Sequence, residues 1–388
     1  MSQKKKFKNF YPDQYRKNNK YKINHNYLNY QFKDYKKIFK RIEKTIIRGD
    51  FTLGEEVEIC EKKLAKKTGA KYVIGVNSGT DAIFLSLKSL NIGYGDEVIT
   101  TPFTFVATLG AICTTGAKPV FVDVKEDYNI NEDEIEKKIT KKTKAIVPVH
   151  WSGRPCNLKK LKFLAKKYNL KIVQDSCHAF GAYYKNKHLV NFGEFSCYSM
   201  HPLKNLNVWG DGGFIATNNY KLANKLKIIR NHGLRDRDHT DEFSYNSRLD
   251  TIQAAVANYI LENKMDNITK KRIQNSRYLD HLLKNVKELK ITHRDSSIKE
   301  VFHLYQIRVK NRKKLIETLQ LNSIDAKIHY PIPMHLQRAS KSLGYKKGDF
   351  PVCENLSRTT LSLPVHEFLN KKDMKFMAKK IIEFYEKK

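Results

Sequence analysis

Two residues set the chemistry that this chain could perform. Asp175 closes an apolar run, Lys171-Ile-Val-Gln-Asp175, and is followed by Ser-Cys-His178-Ala-Phe-Gly-Ala182. Lys204 stands in Ser199-Met-His-Pro-Leu-Lys204-Asn-Leu, just ahead of the glycine-rich run Gly210-Asp-Gly-Gly213. A carboxylate at a strand end and a lysine on a later loop are the pair that pyridoxal phosphate requires. The acid keeps the pyridine nitrogen protonated, so the ring accepts electrons. The lysine holds the cofactor as a Schiff base and then moves protons. Each has a plainer reading: Asp175 could cap the next helix, and Lys204 alone is one of 73 Lys and Arg residues. The ordered set of acid, Ser199, lysine and glycines favours the cofactor. Desolvation there would lower the lysine pKa and make it a nucleophile.

The surrounding elements must put these groups at one edge. From about residue 71, short Val/Ile-rich runs alternate with helical segments: 72–76, 97–100, 119–123, 145–149 and 171–174. That is the pattern of βαβ units in a mostly parallel sheet, whose ligands gather at the carboxyl ends of the strands. Residues 195–199 and 213–217 read as two further strands flanking the lysine loop. Gly79 and Thr80 lie between a strand and a helix expected to start near Asp81, where free N–H groups can hold a phosphate or serve an ordinary cap. A helix is expected over 34–47, with apolar residues at 38, 39, 42, 46 and 47 on one face. One long helical stretch is expected from Asp250 to about 285. A smaller part follows: strand 304–309, helix 312–321, strand 325–330 and a helix near 371–387. The fold class is therefore α/β, a mostly parallel central sheet flanked by helices, plus a smaller C-terminal α+β domain. The division expected is 1–27 as a loose basic extension, 28–262 as the large domain and 263–388 as the small one.

Composition narrows the function classes. Hydrophobic content of 40% and aromatic content of 11% suit a globular protein. No apolar run is long enough for a membrane helix, and the start, Met-Ser-Gln-Lys-Lys-Lys-Phe-Lys, lacks the apolar stretch of a secretory signal. The six cysteines show no zinc spacing, so no metal is expected and reduced thiols in a cytoplasmic protein are. Cys177 and Cys197 lie near the proposed site and read as small packing residues. The net charge of +33 is partly local, because residues 1–40 carry twelve Lys/Arg against two Asp. It reads as a solvated lysine surface whose field attracts anionic substrates, with no nucleic-acid module in sight.

A wider set of strings surrounds the two key residues. In order they are Gly49-Asp-Phe-Thr-Leu-Gly54, Asn77-Ser-Gly-Thr-Asp-Ala82, Thr101-Pro-Phe-Thr-Phe-Val-Ala-Thr108 and Val147-Pro-Val-His150. After the Asp175 and Lys204 segments come Tyr245-Asn-Ser-Arg-Leu-Asp-Thr-Ile-Gln-Ala-Ala255, His329-Tyr-Pro-Ile-Pro-Met-His335 and Leu361-Ser-Leu-Pro-Val-His366. Together they resemble the DegT/StrS-type sugar aminotransferases over nearly everything past the first forty or so residues. The resemblance implies the fold-type I architecture, with Lys204 as the Schiff-base lysine and Ser199 as a phosphate ligand. It implies Phe105 stacked on the cofactor face and His178 near its phenolic oxygen. Asn246 would reach the phosphate of the neighbouring subunit's cofactor, making a homodimer with shared sites, and His329 and His335 would lie on the substrate side. Core packing for Phe105, a structural role for His178 and a turn role for Asn246 stay open.

One branch of the family replaces the lysine by histidine and dehydrates its substrate; Lys204 argues for transamination. The resemblance then implies an amino acid donor, glutamate, and a nucleotide-diphosphate keto-sugar acceptor, in amino-sugar and surface-polysaccharide biosynthesis. A cyclitol or other small ketone is the alternative acceptor. Arg312, Arg338 and Arg358 are available for an amino acid carboxylate, but none sits in a telling motif. A non-catalytic regulator or nucleic-acid-binding protein that kept the fold is the alternative of another class.

Overall fold

The computed structural model describes residues 21–25 and 27–386, apart from the Asn29 side chain. A seven-stranded sheet forms its centre. Its strands are β1 (Tyr72–Val76), β2 (Glu97–Thr100), β3 (Lys118–Phe121), β4 (Thr143–Ile146), β5 (Lys171–Asp175), β6 (Phe195–Ser199) and β7 (Gly213–Thr217). The spatial order is β1-β7-β6-β5-β4-β2-β3. β7 runs against both its neighbours, and the other adjacent pairs are parallel. The strands are buried on nearly every residue, as continuous apolar runs require when helices cover both faces.

Helices Tyr35–Arg48, Glu55–Thr68 and Thr251–Asn263 share one core with the β7 side of the sheet, through Ile38, Ile42, Leu64, Phe214 and Val256. Helices Gly79–Ser89 and Tyr220–Ile229 share another with Val76, Val173 and Ile215. A second, three-stranded antiparallel sheet comprises β8 (Leu289–Ile291), β9 (Tyr305–Val309) and β10 (Thr360–Leu363), in the order β8-β9-β10. It packs under helices Met265–Leu283, Arg312–Leu321 and Lys371–Glu386.

Three expectations change. The long helical stretch is two helices, Thr251–Asn263 and Met265–Leu283, broken at Lys264 (φ −132°). There the Lys264 ammonium leaves the helix surface to bind Asp34 Oδ1 and Gln31 O, both at 2.5 Å. No strand spans 325–330: a single bridge joins Lys327 to Ser362, and Asp325 turns its carboxylate to the His25 N–H and to Lys327. The extension expected to be loose is packed at residues 21–25 and at Tyr27. Ile23 is 2% exposed and bridges Ile324, so the second core draws a residue from the far end of the chain. Residues 1–20 lie outside the described residues. Among the described residues, no helix is long and apolar enough to cross a membrane.

Candidate active site at the carboxyl edge of the sheet

β1, β5 and β6 end at the same edge. The antiparallel β7 begins there, with Gly213 paired to both Val76 and Ser199. Residues 200–212 cross over this edge and carry Lys204. Such an edge leaves strand-end carbonyls and helix N-termini facing one space.

The elements meet tightly. A Cβ on Gly79 would lie 2.6 Å from Ser199 Cβ and 2.9 Å from Cys177 Sγ; one on Gly213 would lie 2.4 Å from the Ser78 carbonyl. Only glycine lets the Ser78–Thr80 turn sit against both strands. The helix begins at Gly79, two residues earlier than expected. Ser78 caps it by accepting the Asp81 N–H at 3.0 Å. The first-turn N–H groups of Gly79 and Thr80 have no intrahelical partner, next to the Ser199 hydroxyl, and form a cradle suited to a phosphate.

Asp175 is 6% exposed. Its Oδ1 accepts the Cys177 N–H at 3.1 Å and its Oδ2 accepts the Thr108 hydroxyl at 2.7 Å. Thr108 in turn is 2.7 Å from the Thr104 hydroxyl. The carboxylate is thereby locked in one orientation. Thr104 and Thr108 lay inside a string read as a motif, but neither was singled out. Thr104 lies just before helix Val106–Thr114 and Thr108 in its first turn, so no local period joined them. Behind Asp175, His150 accepts the Cys156 N–H at Nδ1 (3.1 Å), so its Nε2 donates to Gln174 (2.9 Å).

Lys204 is half-buried. Desolvation lowers its pKa below the usual 10.5, against the opposing pull of Cys177 and Asp175. Its loop is tied down from the N-terminal segment. The Tyr27 hydroxyl donates to the Leu203 and Lys204 carbonyls at 3.4 and 3.3 Å. Gln31 and Asn207 exchange two hydrogen bonds, at 3.1 and 2.8 Å.

Beyond the lysine stands a wall of imidazoles. His178 is 8% exposed and lies 5.2 Å from the Trp151 ring and 4.2 Å from His303, centroid to centroid. His329 is half-buried, with Nδ1 3.0 Å from Ser362 Oγ, and its ring is 5.6 Å from His25. Burial keeps all four neutral. It lowers the pKa of His329 to about 4, with Lys327 and Lys204 adding to the effect. It takes His178, His303 and His25 well down, helped by Lys204 and His329 for the first, chiefly by His178 and Lys204 for the second and chiefly by His329 for the third. Among the described residues, the Nδ1 atoms of His25, His178 and His303 are buried without a partner. Unspent buried donors and acceptors of this kind mark a place where a ligand completes the bonding. Sequence reasoning missed His25 and His303: neither has a local signal, and only the fold brings them beside His178 and His329.

The remaining sequence candidates scatter. Phe105 is 49% exposed at the start of helix Val106–Thr114, with its ring 5.7 Å from Tyr330, so it stands at the mouth of the site rather than in the core. Asn246 is exposed and bridges Asn231, beside a cleft of about 260 Å³ that Asn77, Arg248 and Asp250 also line. His335 is 2% exposed, bonded to Glu354 at 3.2 Å and packed on Phe350. That is the environment of an internal structural histidine, not of one facing a substrate. Among the described residues no His/Cys/Asp/Glu cluster could hold a metal.

Residues 33–382 match the DegT/DnrJ/EryC1/StrS aminotransferase family. A Geobacillus stearothermophilus relative named a pleiotropic regulatory protein is 38% identical, covering 92% of this chain and 97% of the relative. The dTDP-3-amino-3,6-dideoxy-alpha-D-galactopyranose transaminase of Aneurinibacillus thermoaerophilus is 36% identical, with 87% and 93% covered. The crystal structure of S. venezuelae DesV in complex with a ketimine intermediate superposes with a TM-score of 0.90 at 32% identity, over 92% of this chain and 97% of that one. With the glycine-lined cradle, the locked acid and the desolvated lysine at one sheet edge, this chain belongs to the DegT/DnrJ/EryC1/StrS aminotransferase family, whose cofactor is pyridoxal phosphate.

Proposed function

We propose that this aminotransferase moves an amino group from an amino acid, glutamate in this reading, to the keto group of a nucleotide-diphosphate sugar. The product would serve amino-sugar and surface-polysaccharide synthesis. The observation that carries the catalytic part is the desolvated Lys204 at the sheet edge that also holds the locked Asp175 and the Gly79–Ser199 cradle. The sugar is supported by relatives named for dTDP- and UDP-sugar substrates, such as the UDP-2-acetamido-2-deoxy-3-oxo-D-glucuronate aminotransferase of Pseudomonas aeruginosa, 35% identical.

The residues divide the work. When bound, the cofactor supplies an electron sink for the carbon that exchanges its amine. The Gly79 and Thr80 N–H groups and the Ser199 hydroxyl would hold its phosphate, with Asn246 of a second copy completing the set in a homodimer with shared sites. Asp175 would face the ring nitrogen, held in place by Thr108 and Cys177. Phe105 would cover one face of the ring. Lys204, brought toward neutrality by desolvation, would bind covalently, leave when the donor arrives, and take and return the proton at the reacting carbon. His178 would face the phenolic oxygen, and His329 the substrate. The reading places the enzyme in the cytoplasm, where its six unpaired cysteines stay reduced.

One relative carries a regulatory name, so a binding protein that kept the fold is the second reading. A single experiment separates them. The purified protein is incubated with pyridoxal phosphate, glutamate and a panel of 3-keto and 4-keto nucleotide sugars, and amino-sugar and 2-oxoglutarate are measured. Stoichiometric formation of both supports the enzyme. A stable visible cofactor band that glutamate does not discharge supports the regulator.

A further inference from the structure

We propose that residues 21–25 and Tyr27 are part of the active site, and that His25 is a specificity-determining residue that hydrogen-bonds the nucleotide sugar. The inference rests on the proposed sugar substrate and deepens it. The segment is pinned on both sides of His25. Before it, Ile23 N–H donates to Ser323 O at 3.0 Å and Ile23 O accepts from Asp325 N–H at 2.9 Å. At it, His25 N–H donates to Asp325 Oδ2 at 3.2 Å, and His366 Nε2 lies 3.0 Å from the Asn24 carbonyl. After it, Tyr27 reaches the Leu203 and Lys204 carbonyls and lies over Arg272, with 4.9 Å from ring centroid to guanidinium carbon. So much bonding fixes the backbone, yet the imidazole between the anchors is left with a buried, unpartnered Nδ1, facing His329 at 5.6 Å between ring centroids.

A backbone fixed this firmly, with the imidazole beside His329 left able to donate or accept, suits a side chain that serves a ligand. His25 meets the wall of imidazoles through His329, 5.6 Å away between ring centroids, while His178 and His303 lie 4.2 Å apart in the same wall. An amino acid donor is small and would sit beside Lys204. A nucleotide sugar, several times larger, extends outward past His329. A neutral imidazole there suits the hydroxyl and keto oxygens of a sugar, to which it can donate or from which it can accept.

The test treats the two half-reactions separately in the holoenzyme. Glutamate is added alone and loss of the visible cofactor band is followed by stopped flow. The nucleotide keto-sugar is then added and return of the band is followed. Binding of the amino-sugar product is measured by calorimetry. His25→Leu keeps the apolar volume, and His25→Gln keeps a hydrogen-bonding group. His25→Leu should lower kcat/KM for the keto-sugar about tenfold and weaken product binding to match, while glutamate turnover changes less than about twofold. His25→Gln should recover most of the loss. Unchanged keto-sugar kinetics in both variants overturns the proposal, as does an equal loss in both half-reactions. A wild-type enzyme that turns over glutamate but aminates no nucleotide keto-sugar overturns the substrate reading, and the inference falls with it.

Discussion

The carboxylate on one side of the pocket and the imidazoles on the other are satisfied to different degrees. On the sheet side, the Asp175 carboxylate accepts from Thr108 and Cys177, Thr108 is bonded to Thr104, and Ser199 accepts from the His201 N–H. On the facing side, His25, His178 and His303 each bury a ring nitrogen that has no partner among the described residues. The finished side stands on β-strand ends, which hold geometry tightly and suit groups that repeat one chemical step. The unfinished side comes from segments far apart in sequence and is completed by whatever binds. In the proposed reading, the first side carries the cofactor chemistry and the second selects the substrate.

Predictions follow from that division, beginning with the finished side. Lys204→Ala should lower turnover by at least about a thousandfold, because it removes both the covalent tether and the proton carrier. The protein should still fold, as judged by an unchanged thermal melt of the apoprotein. Retained turnover would place the catalytic lysine elsewhere. Asp175→Asn should leave the cofactor bound and lower kcat about a hundredfold, since a neutral ring nitrogen is a poorer partner for the developing charge. A wild-type rate would remove Asp175 from the mechanism. Thr108→Val keeps the shape but deletes one hydrogen bond to a charged group. It should lower kcat about tenfold with little change in KM, because Asp175 loses its fixed orientation rather than its charge. If KM rises and kcat holds, Thr108 serves binding instead.

How much of this was legible in the sequence follows the same division. Asp175, Lys204, Ser199 and Gly79 lie in short local strings beside strand ends, and the alternation of apolar runs was enough to place those ends at one edge. Thr108 stood inside a motif string but had no acid near it in sequence. His25 and His303 are 153 and 125 positions from His178 (178 − 25 and 303 − 178). Each reads locally as an ordinary histidine. The packing of residues 21–25 was equally hidden, because lysine- and asparagine-rich sequence carries no apolar period. Ile23 and Tyr27 bury their side chains singly, without a helical or strand repeat. His335 shows the opposite error: a histidine inside a motif string that the fold uses to anchor Glu354.

A smaller effect contrasts satisfied and unsatisfied imidazoles. His150 is fully buried and bonded at both nitrogens, and its pKa falls from 6.5 to about 4, mainly through burial. The folded protein therefore resists protonating it, while the unfolded chain does not. Its contribution to stability is complete above about pH 6.5 and declines as the pH falls toward 4, by about 1.4 kcal/mol per pH unit for this one group. Chemical denaturation at pH 7.0, 5.5 and 4.5 should show that decline, and His150→Gln should make it shallower. A wild-type profile no steeper than the variant's would contradict the assignment.

The most direct test of the central claim is chemical. Holoenzyme is reduced with borohydride, which makes the bond between cofactor and lysine permanent, then digested and mapped by mass spectrometry. The account predicts one phosphopyridoxyl group on the peptide that contains Lys204 and no specific labelling in Lys204→Ala. Stoichiometric label on any other lysine, with Lys204 unmodified, would contradict it.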